Sequence, residues 1–152
     1  MKSKKLIIFI PSIEGGGVEK NLYIISDYLK DKIDDISLIT LSNKCLNRFS
    51  SKINFISPKS SFWDSLGRRK KFIVGLFLLF LEILKNRNIL VLCFQANVYC
   101  TLLCKLLGIK IIVRSNSAPD GWSQNKFKYL VFKYILRSAD KIIVNSLEFK
   151  KK

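Results

Sequence analysis

The chain has 152 residues, 49% of them apolar and 12% aromatic, and its 27 Lys and Arg against 11 Asp and Glu give a net charge of +16. That balance excludes a disordered basic tail and a low-complexity chain, and the length fits a single domain, residues 1–152. The absence of His removes Ser-His-Asp and Cys-His catalysis and imidazole metal sites, so zinc would have to rely on cysteine.

The basic start at Met1 to Lys5 leads into the apolar run 6–10, which Pro11 stops. The run is too short for a secretory leader and predicts a strand. After it comes a loop, 11–19, containing Gly15, Gly16 and Gly17. Glycines allow close backbone approach and a helix start offers free N–H groups, so this loop either holds a phosphate or is a ligand-free turn. Lys20 stands where a dinucleotide fingerprint wants Gly or Ala, and no Walker pattern is present. An amphipathic helix follows, with Val18, Leu22, Ile25 and Leu29 on one side.

Residues 36–41 predict a second strand and 53–56 a weak third, the latter inside an irregular, Ser- and Lys-rich stretch from 42 to 71. A very apolar helix is expected at 72–84, interrupted by Glu82 and too short for the about 20 residues of a bilayer span. Just before it stand Phe62, Trp63 and the cluster Arg68, Arg69, Lys70 and Lys71. Aromatics beside a basic cluster fit an anionic membrane surface; a core helix with a solvated basic entry fits equally. No recognition motif supports nucleic acid.

A strand at 89–94, a helix at 98–107 stopped by Gly108, a strand at 109–113, a helix at 126–137 and a strand at 141–144 complete the pattern. Strands alternating with helices predict an α/β fold: a Rossmann-like, doubly wound, mostly parallel sheet, its strands covered on both faces. Ligands of such sheets gather beyond the strand carboxyl ends. Gln95 and Asn97 lie there, as hydroxyl-binding amides or as a helix cap, and so do Arg114 and Asn116. Arg114 calls for an anionic ligand or a carboxylate partner. Of Cys45, Cys93, Cys100 and Cys104, no two stand as C-x-x-C, and three lie in apolar stretches, which fits buried reduced thiols of a cytosolic chain.

Residues 5–20, with Gly-Gly-Gly-Val-Glu-Lys at 15–20, Arg114-Ser-Asn116 after the fifth strand, and Ala139-Asp-Lys-Ile-Ile-Val-Asn-Ser146 occur in an order that resembles the N-terminal domain of family-4-type glycosyltransferases of the GT-B fold. The resemblance implies retaining transfer of a sugar from a nucleotide-sugar donor to a lipid-linked or polysaccharide acceptor, at the cytoplasmic, inner face of a membrane. It implies no metal and no cofactor. Gly16 and Gly17 would approach the donor diphosphate, and Arg114 and Asn116 would line the acceptor cleft with Gln95 and Asn97. The family's His after strand five is Asn116 here. No stretch of this chain matches the donor-binding domain with its paired glutamates, so the chain alone is expected to be inactive or nearly so, either as a truncated reading frame or as a subunit completed by a separate donor-binding domain. The other reading is a non-catalytic module on a membrane surface that retains the acceptor fold.

Overall fold

The computed structural model describes residues 4–58, 60–115 and 125–144, except the side chains of 44, 45 and 61. Six strands, β1 (Lys5–Phe9), β2 (Ile36–Ile39), β3 (Asn54–Ile56), β4 (Ile89–Cys93), β5 (Lys110–Ser115) and β6 (Lys141–Val144), alternate with four helices, α1 (Gly17–Leu29), α2 (Arg68–Lys85), α3 (Asn97–Leu106) and α4 (Lys126–Arg137). The strands form one all-parallel sheet in the order β3-β2-β1-β4-β5-β6. The order reverses direction between β1 and β4, where Lys5–Phe9 runs in register with Ile89–Cys93. The α/β, Rossmann-like architecture expected from the alternation is the one observed.

Side chains alternate across the sheet, as strand geometry requires. Ile7 and Phe9 meet Leu79 and Ile83 of α2, Cys100 and Cys104 of α3, and Leu136 of α4. Leu6, Ile8 and Ile10 meet Leu22 of α1 on the other face, with Val18, Ile25 and Leu29 packed around them. Cys93, Cys100 and Cys104 are free, buried thiols. Burial, then hydrogen bonds with Cys104 and Cys93, push the Cys100 thiol well above its usual range, so this cluster serves the core as small apolar groups.

Apolar runs report burial rather than ladder pairing, which is why several expected strands overran. Ile10, Leu41, Ile53, Phe94 and Ile109 all lie outside their strands yet are buried. The final strand departs further. β6 was expected to be covered on both faces, but it is an edge strand, and Ile142 and Ile143 are exposed.

The stretch 42–71 is more ordered than its composition suggests. Two 3-10 turns, Asn43–Arg48 and Ser61–Ser65, are tied where the Asn43 N–H donates to Asp64 Oδ1 at 2.7 Å and Ser57 Oγ donates to Asn43 Oδ1 at 2.6 Å. α2 begins at Arg68, one turn earlier than expected. Gly75 lets it approach the first loop closely: a Cβ there would lie 2.7 Å from Pro11 Cγ and 2.9 Å from its Cβ. Glu82, which breaks the apolar run, receives Lys5 Nζ of β1 at 3.0 Å and Lys85 Nζ at 2.7 Å. Burial alone would raise the Glu82 carboxyl, but the two lysine hydrogen bonds outweigh it and hold it below its usual range.

Asp140 performs a corresponding task beside β5 and β6. Its carboxylate accepts the Ile111 N–H at 2.8 Å and Lys105 Nζ at 2.6 Å, while its own N–H donates to Ile111 O at 3.1 Å. Burial opposes ionisation here too, and the bonds from Lys105 and Ile111 prevail, leaving the pKa low. The acidic residue of the Ala139-Asp140 segment thus sets β6 against β5 and α3.

Candidate functional site

The carboxyl rim at the β1/β4 reversal is built from four chain segments, and Gln95 joins the central two. Its Oε1 accepts the Ser12 N–H at 3.1 Å and its Nε2 donates to Ser12 O at 2.7 Å. A side-chain amide thereby continues the pairing beyond the strand ends and pins the loop after β1 to the loop after β4. The loop is held from the β2 side as well. The Ile13 N–H donates to Ser42 Oγ at 2.9 Å and the Leu41 N–H to Pro11 O at 2.9 Å. Lys71 reaches the same hydroxyl, with Nζ 3.4 Å from Ser42 Oγ.

The three glycines of this loop differ in what a side chain would meet. Gly15 has φ +88, a left-handed backbone that other residues adopt at a cost. A Cβ on Gly16 would lie 3.1 Å from Glu19 Oε2. Glu19, on the first turn of α1, is buried and accepts the Glu14 N–H at 3.4 Å, so its carboxylate folds back over the helix start. Gly17 differs from both, because a Cβ there meets nothing within 4 Å.

An open cavity of about 250 Å³ adjoins this loop, lined by Ile13, Gly15, Gly16, Glu19, Lys20, Tyr23 and Arg48. A phosphate placed at the helix start would meet the N–H groups of the first turn together with the Glu19 side chain. Lys20 and Arg48, neither in an ion pair among the described residues, supply the positive charge that offsets it. Sequence reasoning gave Arg48 no role because it lies in the stretch read as irregular, and it treated Lys20 chiefly as a mismatch to a dinucleotide motif.

The amides and the arginine expected to line an acceptor cleft are engaged internally. Gln95 is 7% exposed, and both ends of its amide bind Ser12. Asn97 donates from Nδ2 to Arg114 O at 2.9 Å and accepts from Cys93 Sγ at 3.4 Å, bracing β4 against β5. Arg114 is 5% exposed, with Cζ 5.5 Å from the centre of the Phe94 ring, and burial lowers its pKa. At the end of β5 the arginine is thus buried against an aromatic face. Asn116 lies outside the described residues, as do Asn145 and Ser146. Between Gln95 and Asn97, Ala96 takes the left-handed conformation at φ 53, strain concentrated at the turn that opens the rim.

The aromatic and basic patch is divided. Phe62 is exposed and packs edge-on to half-buried Trp63 at 5.7 Å, and Arg68, Arg69 and Lys70 are exposed on the first turn of α2. Lys71 was expected beside them, but it is only 6% exposed and turns inward to Ser42. Helix periodicity explains this correction, because 71, 75, 79 and 83 form the buried row of α2. Among the described residues no helix is long and apolar enough to cross a membrane, and no group of three His, Cys, Asp or Glu is placed to hold a metal ion.

No family model matches the chain, and no curated protein does. Among solved structures, the chain is similar to a UGT transferase from Siraitia grosvenorii in complex with UDP, at 17% identity and a TM-score of 0.47, over 76% of this chain and 29% of that one. It is also similar to Phytolacca americana UGT2 complexed with UDP-2fluoro-glucose and pterostilbene, at 13% identity and a TM-score of 0.55, over 94% of this chain and 48% of that one. The chain therefore spans about half or less of either neighbour's length. The second likeness, together with the all-parallel sheet and its strand order, gives this chain the fold of one Rossmann-like half of a GT-B protein.

Proposed function

We propose that this chain is the acceptor-side half of a GT-B glycosyltransferase of the family-4 type, acting in retaining transfer of a sugar from a nucleotide-sugar donor to a lipid-linked or polysaccharide acceptor. The observation that carries the reading is the glycine loop at the β1/β4 reversal, where Gly15 and Gly16 line an open cavity with Lys20 and Arg48, and Gly17 leaves open space at the start of α1. In this reading Gly16 and Gly17 face the donor diphosphate, Arg114 and Asn116 lie toward the acceptor, and Gln95 and Asn97 hold the rim in shape. The UDP-2fluoro-glucose of the Phytolacca protein supports a nucleotide sugar as the donor class. No metal or other cofactor takes part, the nucleotide sugar being a substrate. The protein works at the cytoplasmic, inner face of a membrane, and exposed Phe62, Arg68, Arg69 and Lys70 support docking to anionic lipid.

A second reading, a non-catalytic membrane-surface module, is favoured by one fact: the Gln95 amide is fully engaged by Ser12. The test is transfer of labelled sugar from nucleotide sugars to membrane extracts, by the chain alone and after addition of a separately expressed donor-binding domain. Activity on addition, lost in Gly17→Ala, supports the enzyme half. Inactivity with every donor and domain supplied overturns it in favour of the module.

A further inference from the structure

Helix α4 presents an apolar face that nothing among the described residues covers. Phe127, Leu130, Val131 and Tyr134 stand at i, i+3, i+4 and i+7, and Phe127 and Tyr134 are 76% and 80% exposed. The opposite side of the helix supplies Leu136 to the core, so the exposed face is surplus to folding. Around the helix at 100° per residue, Lys126, Lys133 and Arg137 line one flank of that face and Lys128 the other. The segment carries no acidic residue, and none of these four cations forms an ion pair among the described residues. The apolar surface continues onto α3, where Tyr99, Leu102 and Leu106 are exposed at i, i+3 and i+7 and Tyr99 meets Phe132 of α4 at 6.3 Å.

We propose that the outer face of α4, extended by α3, inserts into the interfacial region of an anionic bilayer. An apolar stripe with aromatic residues, flanked by cations whose long stems let the charges rise to the headgroups, is the arrangement a charged lipid surface selects. Charge complementarity decides the partner: a stripe bordered by cations alone suits a continuous sheet of phosphate charge. The inference deepens the membrane part of the proposed function, naming a surface remote in sequence from the α2 cluster, and it stands whether or not the chain transfers sugar.

The experiment is co-sedimentation of the full chain with vesicles of phosphatidylglycerol and phosphatidylcholine, and with vesicles of phosphatidylcholine alone. Binding is expected on the anionic vesicles and at least about tenfold less on the neutral ones. Replacing Lys126, Lys133 and Arg137 by Gln is expected to weaken binding about fivefold per cation, on the order of a hundredfold together. Leu130→Ser with Tyr134→Ser keeps the charge and is expected to weaken binding at least about tenfold. All of these positions are exposed except Lys133, which is half-buried over the Tyr129 ring, and circular dichroism checks that the fold is kept.

If both α4 variants bind like the parent while Arg68→Gln with Arg69→Gln and Lys70→Gln does not, the membrane part of the proposed function survives and this inference falls. If the parent itself ignores anionic vesicles, both fall. A Leu130→Ser, Tyr134→Ser variant that changes the sedimentation coefficient of the free protein but not vesicle binding would assign the face to a protein contact and overturn the inference.

Discussion

Replacing Gln95 by Leu preserves much of the side-chain volume but leaves the Ser12 N–H and C=O with nothing to bind. Each orphaned buried group costs about 1–3 kcal/mol, so the substitution is expected to remove about 2–6 kcal/mol of stability. That is a large part of the about 5–15 kcal/mol that holds a typical domain together. Gln95→Glu separates the two bonds. Its carboxylate still accepts the Ser12 N–H but faces the Ser12 carbonyl with a lone pair instead of a donor. Protonation restores the donor, so the folded state raises the pKa of this carboxyl above its unfolded value. A group raised in this way lowers stability at neutral pH, and the deficit shrinks as pH falls through the folded pKa toward the unfolded value of about 4.3. Urea unfolding of the parent and both variants, at neutral pH and near pH 5 (about 0.7 unit above that value), measures both effects. A Gln95→Leu protein within about 0.5 kcal/mol of the parent would refute the reasoning, because surface-like tolerance means the bond pair is not buried structure.

Other outcomes follow from the same geometry. Gly75→Ala drives a methyl into Pro11 and is expected to cost about 1–3 kcal/mol, read as a lowered urea midpoint with unchanged slope. Gly16→Ala displaces the Glu19 carboxylate and lowers the melting temperature, whereas Gly17→Ala, with open space around it, leaves stability within about 1 kcal/mol of the parent. Glu82 has a depressed folded pKa, so its contribution is present above the unfolded value and lost as pH falls through the folded one. The stability gap between the parent and Glu82→Gln is therefore expected to narrow in acid unfolding below about pH 4.

How far the fold was legible depends on what each pattern encodes. The apolar runs located all six strands because a parallel sheet buries both faces of its central strands, and the 3.6-residue spacing located the helices. The runs misplaced strand ends, since Ile10, Leu41 and Phe94 are buried just beyond the strands, each held by a single backbone hydrogen bond to its neighbour. They also misjudged β6, because periodicity does not say which strand forms the edge. The rim was found as a place, from the strand-to-helix turns, but the tasks of its residues were not. Whether Gln95 faces a ligand or Ser12 depends on a partner 83 positions away in the chain, and no local pattern records that. Lys71 was within reach, as extending the row of Gly75, Leu79 and Ile83 back by four residues places it in the interior.

The central claim is that the glycine loop at the β1/β4 reversal holds the diphosphate of a nucleotide sugar, and backbone-amide NMR of the full chain titrated with UDP and with pyrophosphate tests it most directly. The account predicts that the amides of Gly15, Gly16 and Gly17 shift first and saturate, with Lys20 and Arg48 following. Shifts confined to the basic surfaces of α2 and α4 and abolished by moderate salt, with the glycine loop unmoved, would contradict it.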